Sequence, residues 1–230
     1  REDVELAVMA AQNALHHWAS FSTHERIDWL RKIAKALELR RDEIASVESI
    51  DTGKPISLAK RVDAARSVSN FEFFADHAEN LIDKEYRMAD AINFVIRKPV
   101  GVVGLITPWN LPLYLLTWKT APALVMGNTI VAKPSELTPL TANLLGEVLT
   151  SIRFPPGVIN IVHGLGPNAG QAILEHQQIR AISFTGGTST GRIVAEIAAP
   201  KFKKLSLELG GKNATIILDD ADLTIAAKGA

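Results

Sequence analysis

The sequence predicts an α/β fold in which an N-terminal helical segment precedes a parallel sheet with flanking helices. Two patterns lead to this prediction. Apolar residues recur at helical spacing through residues 1–83. From about Val100 onward, short apolar runs alternate with helical stretches, which is the order of βαβ units and therefore of a parallel sheet. Right-handed crossovers place helices on both faces of such a sheet.

The predicted elements follow one another without an internal repeat. The second helix opens with Ser22 and has Glu25 three residues later, which is a capping-box pattern. The third helix ends before Gly53, the residue type that most often stops a helix. We predict helices over residues 4–18, 22–37, 42–50, 56–81, 113–126, 140–149, 169–175 and 191–198. We predict a half-exposed strand over 92–97, and further strands over 100–106, 129–132, 158–162, 181–184, 205–207 and 215–218.

The composition is that of an ordinary globular protein and excludes several classes of function. Of the 230 residues, 47% are hydrophobic and 22% are charged. Lys+Arg and Asp+Glu are both 25, so the basic excess that nucleic acids or anionic membranes require is missing. The absence of cysteine excludes disulfides, thiolate metal sites and a cysteine nucleophile within these residues. The six histidines have no ligand spacing, so we expect no metal site.

One uncharged stretch, from Pro99 to Trp118, is long enough to span a bilayer by residue count alone. Glycines and prolines interrupt it, however, and a spanning helix needs continuous backbone hydrogen bonds. We therefore expect a strand, a loop and a helix here. We expect a cytoplasmic protein that acts on a small molecule and binds neither membranes nor nucleic acids.

Loops that follow the predicted strands carry the residues of chemical interest, because ligands of an open parallel sheet bind beyond the carboxyl ends of its strands. In the first such loop, prolines on both sides hold Asn110, which suits donation of its amide N–H to an oxyanion. Alternatively, Asn110 simply caps the next helix. In the second loop, Lys133 and Glu136 can bind the hydroxyls of a ribose. Alternatively, they form an ion pair in a solvated turn.

Two glycine-rich turns indicate phosphate binding. The segment 164–170 has the spacing GxGxxxG rather than GxGxxG, and the segment 185–191 adds hydroxyl side chains at a helix start. A single turn of this kind is also what a tight connection needs, but two on successive βα units favour a nucleotide. After the next strand, Glu208 precedes two glycines and can act as a general base. The alternative is an ion pair of Glu208 with Lys203 or Lys212.

Taken in order, these loops resemble those of the aldehyde dehydrogenase family. The matching segments are PWN at 108–110, KPSE at 133–136, GLGPNAG at 164–170, FTGG at 184–187 and LELGGK at 207–212, with TGKP at 52–55. The resemblance covers nearly the whole chain and implies a Rossmann-like fold that serves the NAD-dependent oxidation of an aldehyde to a carboxylic acid. The run from Pro112 to Lys119 is similar to the branches that act on aminomuconic, hydroxymuconic or other small hydroxylated and dicarboxylic semialdehydes.

The resemblance also implies residue roles. Asn110 would donate to the oxyanion of the thiohemiacetal, Glu208 would activate the hydrolytic water, and Lys119 would help to relay its proton. The cofactor-binding residues implied are Thr107, Pro108, Trp109, Lys133, Ser135, Glu136, Gly166, Pro167, Gly170, Phe184, Thr185, Gly186, Gly187, Thr190, Leu209 and Gly210.

Within the implied cofactor site, Lys133 and Glu136 would bind the adenosine ribose. Glu136 favours NAD over NADP, because its carboxylate would repel a 2′-phosphate at close range. Gly166 and Pro167 would line the adenine cleft, and Gly186 with the following helix start would hold the pyrophosphate.

Two positions depart from the family pattern. Gly187 stands where a serine is usual, so one side-chain contact to phosphate is missing. Thr190 stands where an apolar residue usually meets the adenine. Both departures predict a weaker cofactor site.

A larger departure concerns the nucleophile. The family needs a cysteine thiolate, which lies in a following domain, downstream of the glutamate. We therefore expect residues 1–230 to be the NAD-binding part of a longer enzyme, with a helical lead at 1–83 and a Rossmann-like core at 99–230. The catalytic domain would be absent, this chain alone would be inactive, and the parent enzyme would be a homodimer or homotetramer. The alternative is a naturally truncated, non-catalytic protein that binds NAD or a partner.

Overall fold

The computed structural model describes residues 1–81 and 83–229. Ile82 and Ala230, which fall within the predicted ranges 1–83 and 99–230, lie outside the described residues. The helices are α1 (Glu2–Ser20), α2 (Thr23–Leu39), α3 (Arg41–Thr52), α4 (Ile56–Leu58), α5 (Ala65–Glu79), α6 (Pro112–Val125), α7 (Leu140–Ser151), α8 (Gln171–Glu175), α9 (Thr188–Ala198) and α10 (Leu223–Gly229). The strands are β1 (Lys84–Arg87), β2 (Ile92–Val95), β3 (Val102–Ile106), β4 (Thr129–Lys133), β5 (Ile159–Ile161), β6 (Ile179–Thr185) and β7 (Lys204–Glu208).

Five of these strands form the parallel sheet that the sequence predicts. Their order is β5-β4-β3-β6-β7, with β3 in the centre, and every neighbouring pair is parallel. Apolar clusters lie on both faces. One joins α2, α5, α6 and α7 to the sheet, and the other joins α1, α8 and α9 to it. The predicted α/β class with flanking helices is therefore confirmed.

Local signals explain the ends of the N-terminal helices. The Ser22 hydroxyl accepts from the Glu25 backbone N–H at 3.2 Å, while the Glu25 carboxylate accepts from the Ser22 N–H at 2.7 Å. A cap of this kind contributes about 1 kcal/mol. Gly53 stops α3 in the left-handed conformation, at φ 75°, which a residue without Cβ adopts without strain.

The predicted fourth helix, 56–81, contains a feature that periodicity does not reveal. Between α4 and α5, residues 59–64 form a π-helical stretch. Asp63 lies in this stretch and is fully buried. Such π-turns insert an extra residue into the helical ladder and often occur near functional sites.

The predicted strand 92–97 is present as β2, but its half-exposed character is wrong. It pairs antiparallel with β1, outside the main sheet, and all four of its residues are exposed. The partner β1 has the sequence KEYR, which shows no alternation of apolar and polar residues and was not predicted. A two-stranded hairpin has no second layer to cover either face, so burial does not follow from the alternation in β2.

The predicted strand at 215–218 is also wrong. These residues form no strand, and Ile216, Ile217 and Leu218 are 80%, 51% and 65% exposed. Within the described residues, β7 is an edge strand of the sheet, and the segment 215–218 does not pair with its free edge. The short helix α10 that follows was not predicted. A search of the described residues finds no helix with the length and apolar character that crossing a bilayer requires.

Candidate functional site

The carboxyl ends of the strands open into a cleft of about 540 Å³. Loops after β3, β4, β5 and β6 supply its walls, so residues far apart in the chain meet there. All of the predicted cofactor residues line it except Leu209 and Gly210. Residues that the sequence analysis missed include Gln171 and Leu174 of α8, and Ile193 and Ile197 of α9. The spacing of the two isoleucines, one helical turn apart, was the available signal.

A buried lysine holds an acidic side chain at the edge of this cleft. Lys133 is 3% exposed, and its ammonium donates to the Glu136 carboxylate at 2.8 Å and to the Pro134 carbonyl at 3.0 Å. This hydrogen bond lowers the pKa of Glu136, so the carboxylate stays ionised. The side chain of Glu136 is 39% exposed and can accept from ligand hydroxyls. The alternative of a solvated turn does not hold for Lys133, because it is buried.

The start of α9 provides backbone donors. Its N-cap is Gly187, and no side-chain cap bonds its first N–H groups within the described residues. These groups therefore suit an anion. Gly186 is required nearby, because a Cβ there would lie 2.5 Å from Cζ of Phe184. Leu209, the residue that follows β7, packs on this helix, since a Cβ on Gly191 would lie 2.3 Å from its Cδ2.

Two threonine hydroxyls at the cleft are left without partners. The Oγ1 atoms of Thr107 and Thr185 are buried and make no hydrogen bond within residues 1–81 and 83–229. Both residues line the cleft. A buried hydroxyl without a partner is unfavourable, but the hydroxyls of Thr120, Thr129, Thr138 and Thr141, which do not line this cleft, are in the same state. The cleft thus offers an acceptor for ribose, backbone donors for phosphate and apolar walls for a base.

The predicted Lys119 and Glu208 meet at a second cleft, of about 480 Å³. Lys119 is 6% exposed and donates to Oγ of Ser183 at 2.8 Å. Burial lowers the pKa of Lys119 to about 8, although the charge of Glu208 opposes the shift. Glu208 itself is exposed at the end of β7. The proposed ion pair of Glu208 with Lys203 is not formed, because Lys203 donates to the carbonyls of His176 and Ile179.

Asn110 is exposed and lines neither cleft. It does not cap α6, because the N-cap is Leu111 and no side-chain cap is formed in the described chain. Its backbone carbonyl accepts from Nζ of Lys54 at 3.0 Å. The sequence analysis does not predict this contact, although Lys54 belongs to the TGKP segment at 52–55.

In the described part of the chain, no cluster of His, Asp or Glu could hold a metal ion.

Comparisons with known proteins give a consistent result. The profile of the "Aldehyde dehydrogenase family" matches residues 1–230. The chain is 51% identical to "2-aminomuconic semialdehyde dehydrogenase" of Danio rerio, covering 96% of this chain and 46% of that protein. It is 48% identical to "2-hydroxymuconic semialdehyde dehydrogenase" of Pseudomonas sp. (strain CF600), covering 100% and 49%. The chain thus spans about half the length of these curated relatives.

Solved structures also match nearly the whole of this chain. An NAD⁺ complex of an aldehyde dehydrogenase from Bacillus cereus superposes with a TM-score of 0.94 at 41% identity, covering 99% of this chain and 47% of that one. A complex of PnpE with nicotinamide adenine dinucleotide gives the same TM-score at 43% identity and the same coverage. Proteins with this fold and similar sequences therefore bind NAD.

Proposed function

Because this chain belongs to the aldehyde dehydrogenase family, we propose that it is the NAD-binding part of an enzyme that oxidises an aldehyde to a carboxylic acid. Residues 1–230 would form one domain, with the helical lead at 1–83 and the Rossmann-like core at 99–230. The observation that carries the proposal is the cleft at the carboxyl edge of the sheet, where Lys133 holds Glu136 ionised.

The residues of the cleft suit the parts of a dinucleotide. Glu136 would accept from the adenosine ribose, with Lys133 fixing its orientation. The open N–H groups at the start of α9, together with Gly186, would hold the pyrophosphate. An ionised Glu136 would repel a 2′-phosphate, which favours NAD over NADP. When bound, the nicotinamide would accept the hydride from the substrate.

Three further residues would serve the chemistry. The Asn110 side-chain amide would donate to the oxygen of the aldehyde as negative charge develops on it. Glu208 would take a proton from the hydrolytic water. Lys119, whose pKa burial lowers to about 8, would relay that proton in the second cleft.

The nucleophile of this reaction would come from outside residues 1–230, because the chain contains no cysteine. This chain alone would then be inactive. Exposed apolar residues support the longer enzyme over a truncated binding protein. Leu209, Ile216, Ile217 and Leu218 are all exposed in the segment that follows β7, and a binding module that functions alone would cover such apolar residues.

The assembly of the parent enzyme is a further part of the proposal. We expect a homodimer or a homotetramer. The β1–β2 hairpin supports this expectation, because Tyr86, Ile92 and Phe94 are 55%, 46% and 64% exposed on a two-stranded sheet with two free edges.

The substrate would be a small semialdehyde that carries a carboxylate, by analogy with the two relatives named for muconic semialdehydes. The test is to express the longest reading frame that contains this chain and to follow NADH formation with 2-aminomuconic semialdehyde, 2-hydroxymuconic semialdehyde and an uncharged aliphatic aldehyde. We expect turnover of the muconic substrates, and none from residues 1–230 alone. Turnover by residues 1–230 alone, or none by the longer protein with any aldehyde, would contradict the proposal.

A further inference from the structure

A buried group of charges lies beside the loop that carries Asn110. Glu48 of α3 and Asp63 of the π-helical stretch are both fully buried. The ammonium of Lys54 lies 2.8 Å from Oδ1 of Asp63 and 3.5 Å from Oε1 of Glu48. The Lys54 side chain is itself only 12% exposed. Asp63 accepts a hydrogen bond from this ammonium, whereas Glu48 lies at ion-pair distance and burial raises its pKa to about 7.

The same ammonium makes one more contact, outside this group. Nζ of Lys54 donates to the backbone carbonyl of Asn110 at 3.0 Å, across 56 positions of sequence. An ammonium has three donors in roughly tetrahedral directions. The hydrogen bond to Asp63 therefore restricts the direction in which a second N–H of Lys54 reaches the Asn110 carbonyl.

The backbone of Lys54 is held as firmly as its side chain. Its N–H donates to the Thr52 hydroxyl at 3.3 Å, and its carbonyl accepts from the Ser49 hydroxyl at 2.7 Å. The preceding Gly53 turns the chain in the left-handed conformation. A charged side chain on a fixed backbone, with its end in a buried ion pair, can hold a loop in one place.

We propose that Lys54 is a positioning residue that holds the Asn110 loop so that the Asn110 amide is aimed at the substrate oxygen. This inference rests on the proposed function, which assigns Asn110 the oxyanion. The carbonyl that Lys54 binds belongs to the same residue as the amide that donates, so a shift of one moves the other. A displacement of about 1 Å at a reacting group can lower a rate by about 10²-fold.

The competing explanation is that Lys54 only neutralises two buried carboxylates. Both explanations predict a less stable Lys54→Met variant, because the carboxylates would lose their cation. Only the positioning role predicts that Lys54→Met lowers kcat because it displaces Asn110. Residues that act through one another show non-additive effects, whereas independent effects add.

The test is a double-mutant cycle in the full-length enzyme. Lys54→Met, Asn110→Ala and the double variant are compared for kcat, for the KM of NAD and for melting temperature. We expect Lys54→Met to lower kcat by about tenfold or more and to leave the KM of NAD unchanged. The double variant should have about the same kcat as Asn110→Ala alone.

The matched control is Lys60→Met, which removes an exposed lysine that pairs with Asp42 at 2.8 Å. Its kcat should equal that of the wild type. If Lys54→Met does not fold, Lys54→Met with Asp63→Asn removes one charge of each sign and takes its place in the cycle.

Two results would overturn the inference, and they differ. Multiplicative losses in the double variant, with Asn110→Ala itself impaired, would leave the proposed role of Asn110 intact and make Lys54 merely structural. Unchanged kcat in Asn110→Ala would remove the oxyanion role of Asn110 and the positioning role of Lys54 together.

Discussion

Three lysines with buried side chains show how the same residue type takes different roles in one fold. Lys133 pairs with a carboxylate, Lys119 with the Ser183 hydroxyl, and Lys203 with two backbone carbonyls. Only Lys133 has an acidic partner within hydrogen-bond distance among these three. Burial accordingly lowers the pKa of Lys119 and that of Lys203 to about 8.

The pKa of Lys119 predicts a pH dependence of stability. In the unfolded chain Lys119 has its ordinary pKa of 10.5, and in the folded chain about 8. Between these values the unfolded chain binds a proton that the folded chain does not, so stability rises with pH across this window. Lys119→Met removes this contribution, and its free energy of unfolding should therefore rise less between pH 8 and 10. Urea unfolding of both proteins at several pH values measures the difference.

Lys203 serves as an internal control for this comparison, because it is present in both proteins and contributes the same rise to each. The difference between the two pH profiles therefore belongs to Lys119. Parallel profiles for wild type and Lys119→Met would show that the pKa of Lys119 is not lowered.

Among individual residues, contacts between near neighbours in the sequence were predictable and distant contacts were not. Lys133 and Glu136 were predicted to act together because they lie three positions apart at a strand end, and they do form a hydrogen bond. The contact between Lys54 and Asn110 crosses 56 positions and follows from the packing of the π-helical stretch against both α3 and α6. No local pattern encodes such a contact. The burial of Lys133 could not be foreseen either, since a lysine after a strand is usually solvated.

Among the elements, the N-terminus of α9 suits phosphate through its backbone but lacks one side-chain contact to it. Its uncapped N–H groups suit phosphate, but Gly187 offers no side chain to it. The backbone of Gly187 is extended, with φ −66° and ψ 148°, which serine adopts readily. A Cβ at this position would meet nothing closer than the Ser189 hydroxyl at 4.0 Å.

The variant Gly187→Ser should therefore bind NAD more tightly than the wild type. A new hydrogen bond to a charged phosphate is worth about 1.5 kcal/mol or more, which corresponds to roughly tenfold in Kd. Calorimetric titration with NAD measures the change. The adjacent variant Gly186→Ser is the contrast, because its Cβ would meet the ring of Phe184 at 2.5 Å and should weaken binding. An equal or larger Kd for Gly187→Ser would indicate that phosphate does not bind at this helix.

Elements of the core were predictable and elements outside it were not. The strands β3 and β4 are short apolar runs between helical stretches, because each is covered on both faces. The strand β1 is charged and wholly exposed, so burial leaves no pattern in it. The segment 215–218 is apolar like a buried strand, yet it is exposed and forms no strand. The periodicity of apolar residues does not show which segments pair with a neighbouring strand. It therefore neither predicts β1 nor excludes a strand at 215–218.

As a whole, the chain spans about half the length of the curated relatives that it matches. It matches the family along its entire length, yet covers only 46% to 49% of the curated relatives. Within these residues lies the cleft that we propose as the NAD site. The cysteine nucleophile that the proposed reaction needs is absent from residues 1–230.

The melting temperature of residues 1–230, measured with and without NAD, shows whether the cleft at the carboxyl edge of the sheet binds NAD. A ligand that binds only the folded state must stabilise it, by RT ln(1 + [L]/Kd). We predict that millimolar NAD raises the melting temperature, that NADP raises it less, and that Glu136→Gln reduces this difference. An unchanged melting temperature with millimolar NAD would contradict the account.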